Sequence, residues 1–233
     1  KMESLVVIPT LNERENIENL VPAIFAVDEN IHVLIVDDNS SDGTGSLADQ
    51  FAAETGRVHV LHRPGRMGLG SAYIDGFRYA LQNTTAKYIF EMDADFSHDP
   101  KFLPDFIDVI QEADLVVGSR YLKGISIVNW PLNRLIISKI GNWYASTITG
   151  LPLTDVTAGY KCFRRELLEN LNLEELNSNG YSFQIEMSYK VWKKGFRIKE
   201  IPIVFVDRTI GESKITYGIV WEAIWRVWAL KFK

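Results

Sequence analysis

Residues 86–100 read AKYIFEMDADFSHDP: a short apolar run, then three carboxylates on five positions (Glu91, Asp93, Asp95), then Asp99 directly before Pro100. Asp accepts hydrogen bonds from the unpaired N–H groups that open a helix and Pro fits its first turn, so Asp99–Pro100 predicts a helix start. The stretch therefore predicts a strand that passes through an acidic turn into a helix. Asp93 and Asp95 stand one residue apart and point the same way if strand geometry holds to Asp95. Two carboxylates that close repel each other and raise one pKa, whereas a hard divalent cation removes the repulsion by taking oxygens from one or both and from substrate phosphates. Asp93 and Asp95 are expected to hold Mg2+ or Mn2+, because capping of the next helix already has its residue in Asp99.

Outward from this turn the same alternation repeats. SLVVIP, IHVLIVDD, RVHVLH and DLVVGSRY are β-branched runs, and between them lie the helical patterns NIENLVPAIFAV, TGSLADQFAAET, GSAYIDGFRYALQ and DPKFLPDFIDVIQEA. Strand–helix alternation with short links predicts an α/β, Rossmann-like, mostly parallel sheet flanked by helices on both faces, with ligands outside the carboxyl ends of its strands. Three polar clusters fall at those ends: PTLNE, DDNSSDGT and DADFSHD. The first strand-to-helix turn has no glycines, which excludes a dinucleotide fingerprint, and no GxxxxGK[ST] occurs. GRMGLG at 65–70 has its glycines in another order and reads as a loop opening a helix.

Composition narrows the classes further. The chain has 233 residues, 46% of them hydrophobic, enough for one substantial core. With 25 basic against 30 acidic residues, net charge −5, it has no basic footprint for nucleic acid. Its one cysteine, Cys162, excludes an internal disulfide. No run of about 18 uncharged apolar residues is present, and no spanning helix is expected.

Asp-Ala-Asp after a strand, VVIPTLNE, VDDNSSDGT, GLGSA, and GSRY followed by NRLIISKIGN occur in that family's order and together resemble the GT-A glycosyltransferases of family 2, in particular the dolichyl- and polyprenyl-phosphate mannosyltransferases. The resemblance covers nearly the whole chain and implies a catalytic domain over 1–214 followed by a C-terminal amphipathic helix over 215–233. It implies transfer of mannose from GDP-mannose to dolichyl or polyprenyl phosphate with inversion. The alternatives are a glucosyl- or other sugar transferase of this fold using a UDP-sugar and, from another class, a non-catalytic nucleotide-sugar sensor.

Residue by residue, the resemblance makes Pro9, Thr10, Leu11 and Glu13 a wall of the nucleoside pocket and Val36, Asp37 and Asp38 contacts to base and ribose, capping being the other reading of the two aspartates. Asp93, Ala94 and Asp95 become the metal and diphosphate motif, with Ser97 where some members carry a glutamine ligand. Arg208 and Lys214 of DRTIGESK become cations for the diphosphate, and Arg120 and Arg134 the acceptor-phosphate residues. An alcohol acceptor needs a general base, but a phosphate monoester is already ionised near neutral pH, so Asp95, Arg120 and Arg134 are the expected catalytic set and no base is among them.

A lipid acceptor implies a membrane surface, in some members with a separate anchoring subunit. The implied place is peripheral, on the cytosolic face of the endoplasmic reticulum in a eukaryote or of the plasma membrane in a prokaryote. Trp221, Trp225 and Trp228 fall on one helical face with Arg226, Lys231 and Lys233 nearby, a pattern for a headgroup boundary or for packing on the domain. NWPLNRLIISKIGNWYASTITG, 129–150, is a second interfacial stretch, too interrupted by Arg134 and Lys139 to cross.

Overall fold

The computed structural model describes residues 2–176, 178, 180–207, 225 and 227–231. Chain order is β1 (Ser4–Thr10), α1 (Arg14–Phe25), β2 (Ile31–Asp37), α2 (Thr44–Thr55), β3 (Val58–His62), α3 (Leu69–Asn83), β4 (Tyr88–Glu91), α4 (Leu103–Val109), β5 (Leu115–Ser119), β6 (Ile127–Val128), α5 (Leu132–Thr149), β7 (Lys161–Arg164), α6 (Arg165–Asn170), α7 (Gly180–Lys193), β8 (Ile198–Pro202) and β9 (Phe205–Val206). The main sheet runs β3-β2-β1-β4-β7-β5-β8 and is parallel except for β7, which lies antiparallel between β4 and β5. The α/β architecture expected from the alternation is the one observed.

β1 and β2 are continuous apolar runs because both faces of the sheet are covered. Val7 and Val36 pack with Tyr73 and Phe77 of α3 on one face, while Val6, Ile8 and Ile35 pack with Ile17 and Leu20 of α1 on the other. α3 lies so close to β1 that a Cβ on Gly76 would stand 2.4 Å from Val7 Cγ1, which requires glycine there. The parallel strands β1, β2, β4 and β5 end at one edge, at Thr10, Asp37, Glu91 and Ser119. Beside that edge β6 and β9 form a separate two-stranded sheet.

Two local expectations are corrected. β4 stops at Glu91, with a last hydrogen bond from Met92 N to Val7 O of β1 at 3.2 Å, so strand geometry does not reach Asp93 or Asp95. The helix expected over 99–113 is divided into α4 and a 3-10 turn at each end, Pro100–Phe102 and Ile110–Glu112; Asp99 caps the first by accepting from Lys101 N at 3.0 Å. At the C-terminal end Trp225 and 227–231 are helical. There Val227 is buried in the core and Leu230 packs against it, whereas Trp225 and Trp228 are 70% and 42% exposed, so among the described residues Val227 and Leu230 make the core contact. Trp221, Arg226 and Lys233 lie outside the described residues, as do Arg208 and Lys214.

Candidate active site

A pocket of about 410 Å³ opens at the carboxyl edge of the sheet. Pro9, Thr10, Leu11 and Glu13 form one wall at the end of β1, Asp93, Ala94 and Asp95 lie in the turn after β4, and Arg120, Arg134 and Asp38 also face the space. Most of the described residues expected at the site from sequence therefore line one pocket, while Arg208 and Lys214 lie outside the described residues. Val36 and Asp37 do not line it. Val36 belongs to the core, and Asp37 turns back into the loop, accepting from Thr10 Oγ1 at 2.9 Å, Ser40 N at 3.0 Å and Ser40 Oγ at 2.6 Å. Asp37 thus braces the β1 and β2 loops. Asp38 keeps its place on the pocket, held by an ion pair from the buried Arg63, which also pairs with Asp75 at 3.1 Å.

The acidic turn is set by its neighbours. His98 is buried and stacked on Tyr160 with 4.9 Å between ring centroids, and its Nδ1 accepts from Asp93 N at 3.0 Å. Burial holds the His98 pKa down, so the ring is neutral with its proton on Nε2. Asp93 Oδ1 accepts from Tyr73 OH at 3.0 Å; burial, then the charge of Asp93, pushes the phenol pKa well up and keeps it a donor. Asp95 Oδ1 accepts from Ser97 N at 3.1 Å, and Phe96 between them takes a left-handed φ of 59°. Ser97 Oγ is buried without a hydrogen-bond partner. Among the described residues no group of three or more His, Cys, Asp or Glu is placed to hold a metal alone. Two carboxylates on an open pocket fit a hard cation that takes its other oxygens from a diphosphate and water.

Opposite chemistry comes from two arginines. Arg120 grips Asp155 with Nε to Oδ2 and Nη2 to Oδ1, both 2.6 Å, and Nη2 also reaches Thr157 Oγ1 at 2.8 Å. Burial alone would lower its pKa, but Asp155 outweighs burial and raises it above the ordinary value. Arg134 pairs with Asp207 at 2.7 Å and lies over the Trp130 ring, 4.1 Å from its centroid. Both guanidinium groups thus reach the pocket already oriented.

Sequence reasoning missed several of these groups. Arg63 and Asp155 lie in stretches without a periodic or motif signal, Trp130 reads in sequence only as part of the interfacial stretch 129–150, and His98 has no metal-ligand spacing to mark it. Glu91, grouped with the acidic cluster, is instead fully buried opposite Lys161 of β7. Burial pushes the Glu91 pKa up to about 7 against the pull of Lys161 and Gln184, and burial brings Lys161 down to about 8 against Glu91.

Residues 5–171 match the profile of glycosyl transferase family 2. This chain belongs to glycosyl transferase family 2. It is 43% identical over 232 residues to the polyprenol monophosphomannose synthase of Mycolicibacterium smegmatis, covering 98% of this chain and 87% of that protein. To the undecaprenyl-phosphate mannosyltransferase of Micrococcus luteus it is 46% identical over 231 residues, covering 98% and 95%. Among solved structures, the glucosyl-3-phosphoglycerate synthase of Mycobacterium tuberculosis superposes with a TM-score of 0.70 at 18% identity, covering 99% of this chain and 80% of that one. That likeness shows a shared GT-A fold.

Proposed function

We propose that the protein transfers mannose from GDP-mannose to a polyprenyl phosphate, with inversion at the anomeric carbon and a divalent metal at Asp93 and Asp95. The observation that carries the reading is one pocket holding an acidic pair beside two fixed arginines, in a chain similar over nearly its full length to two polyprenyl-phosphate mannosyltransferases. In a single in-line displacement the bond from the anomeric carbon to the diphosphate oxygen breaks as the bond to an acceptor phosphate oxygen forms, and GDP leaves. The obstacle is the meeting of two anions. Bound metal supplies positive charge to the leaving diphosphate. Arg120 and Arg134 take the acceptor phosphate as planar donor forks and hold it in line, and the ionised phosphate needs no base.

The lipid tail is accommodated outside the pocket. Arg134 sits in the first turn of α5, whose Leu132, Ile136, Ile140 and Trp143 are 70%, 48%, 58% and 69% exposed. These residues recur at helical spacing and form an apolar face that suits a headgroup boundary at the acceptor side. Among the described residues no helix is long and apolar enough to cross a membrane. The reading is peripheral attachment on the cytosolic face, by α5 rather than by the C-terminal tryptophans alone.

A thermal-shift panel of nucleotides and nucleotide sugars with Mg2+ or Mn2+ tests the donor. Selective stabilisation by GDP and GDP-mannose is expected, and selective stabilisation by UDP would overturn the donor assignment.

A further inference from the structure

Gln184 of α7 is buried except where it opens on the pocket. Beneath it the fully buried ammonium of Lys161 donates to the Gln184 backbone carbonyl at 2.9 Å and to its side-chain Oε1 at 2.5 Å. An ammonium has three donors and no acceptor, so only the amide oxygen can face it. Of the two N–H bonds of the NH2, one is taken by the Glu91 carboxylate and the other remains for the pocket. A Cβ placed on Gly159 would stand 3.5 Å from Gln184 Nε2, 3.4 Å from His98 Cε1 and 3.9 Å from Asp93 Oδ2. The absent side chain at Gly159 leaves a recess whose rim is an oriented amide donor on one side and an Asp93 oxygen on the other.

We propose that Gln184 reads the donor sugar: its NH2 donates to a hydroxyl oxygen of the hexose seated in this recess, and so helps decide which hexose epimer is transferred. A hydroxyl fits this corner better than a phosphate oxygen does. Between the amide and Asp93 Oδ2 a hydroxyl can accept from the one and donate to the other, whereas an ionised phosphate oxygen can only accept and faces a carboxylate. A buried donor that must be matched by a substrate hydroxyl discriminates strongly against an analogue that cannot match it. Lys161 acts as the positioning residue that keeps the amide from turning its oxygen to the sugar.

The inference rests on the transferase reading, and the test separates the two. Gln184→Met keeps length without an N–H, and Gln184→Glu keeps an oxygen for Lys161 but presents an acceptor where the donor was. Calorimetric titrations with GDP and with GDP-mannose, Mn2+ present and no acceptor, are set beside initial rates with GDP-mannose and its C2 epimer GDP-glucose. In Gln184→Met, GDP affinity stays within about twofold of wild type. Its GDP-mannose affinity falls by about 3- to 15-fold, and the mannose-to-glucose ratio of kcat/KM shrinks with it. Should Gln184→Met fail to unfold cooperatively, Gln184→Glu carries the comparison. Equal losses for GDP and GDP-mannose, no change in either, or a rise confined to the acceptor KM would overturn the assignment of Gln184 alone. A wild-type protein that binds no GDP-mannose would overturn the transferase reading and this inference together.

Discussion

Arg120 and Asp155 meet in a two-pronged ion pair, both contacts 2.6 Å, with the arginine side chain 6% and the aspartate 0% exposed. Asp155 is itself fastened from below, since Glu200 of β8 accepts from Asp155 N at 3.0 Å and from Thr154 N at 2.9 Å. Removing one partner of a buried pair strands the other charge at a cost of about 3–5 kcal/mol. Asp155→Ala is therefore expected to lose about that much stability in urea unfolding and to lose turnover with it. A stable, active Asp155→Ala would show that Arg120 orients itself.

Arg134 is tied less tightly, to Asp207 across partly exposed side chains. Arg134→Lys keeps a charge but loses the planar fork, so donor affinity should hold while the KM for polyprenyl phosphate rises by about tenfold. Initial rates at varied acceptor, beside calorimetric donor titration, check this; donor affinity collapsing with acceptor dependence unchanged would reverse the assignment.

For the acidic turn, Asp95→Ala should lower turnover by at least about 100-fold, the scale of losing one charge-stabilising element, with the unfolding transition intact. Excess EDTA should do the same to the wild type. Full activity in either case contradicts a metal at this pair.

Far from the pocket, His32 Nδ1 and His59 Nε2 lie 3.4 Å apart on β2 and β3. Burial first, then mutual repulsion for His32, lowers both pKa values from 6.5. The unfolded chain thus binds more protons than the folded one near and below pH 6.5, so stability is fully present above that pH and is lost as pH falls through the window. Urea midpoints measured at pH 7.5 and pH 5 should drop more for wild type than for His32→Gln. Equal drops would remove the pair from the pH dependence.

On α5, replacing Ile136, Ile137, Ile140 and Trp143 with Ser should leave stability within about 0.5 kcal/mol per site, because all four are exposed. Sedimentation with anionic liposomes should weaken by at least about tenfold, as several apolar side chains no longer enter the interface. Retained liposome binding would move the contact elsewhere on the protein.

Much of this site was legible because parallel strands fix where their ends go. VVIPTLNE, VDD, the DADFSHD turn and GSRY each follow an apolar run, and the sheet brings those ends to one edge whatever the loops do. What stayed hidden are groups whose meaning is a partner. Lys161 is one residue in an ordinary strand until β7 inserts antiparallel between β4 and β5 and sets it opposite Glu91, a pairing that alternation of strand and helix does not predict. Asp37 and Asp38 are adjacent and alike in sequence, yet one braces the loops and the other faces the pocket, because successive residues leaving a strand point opposite ways. Similarly, the tryptophan spacing near the C-terminus does not tell which residues there pack on the domain, since that depends on Val227 fitting the core.

The most direct measurement is of the product itself. Purified protein is incubated with Mn2+, GDP-mannose labelled in the sugar and polyprenyl phosphate in liposomes, and label is counted in the organic extract after the aqueous donor is washed away. The expected result is label in a lipid that releases mannose on mild acid, formed with loss of one GDP per sugar and absent when the lipid lacks its phosphate. Label that stays aqueous with GDP-mannose, or that enters the lipid only from a UDP-sugar, would contradict it.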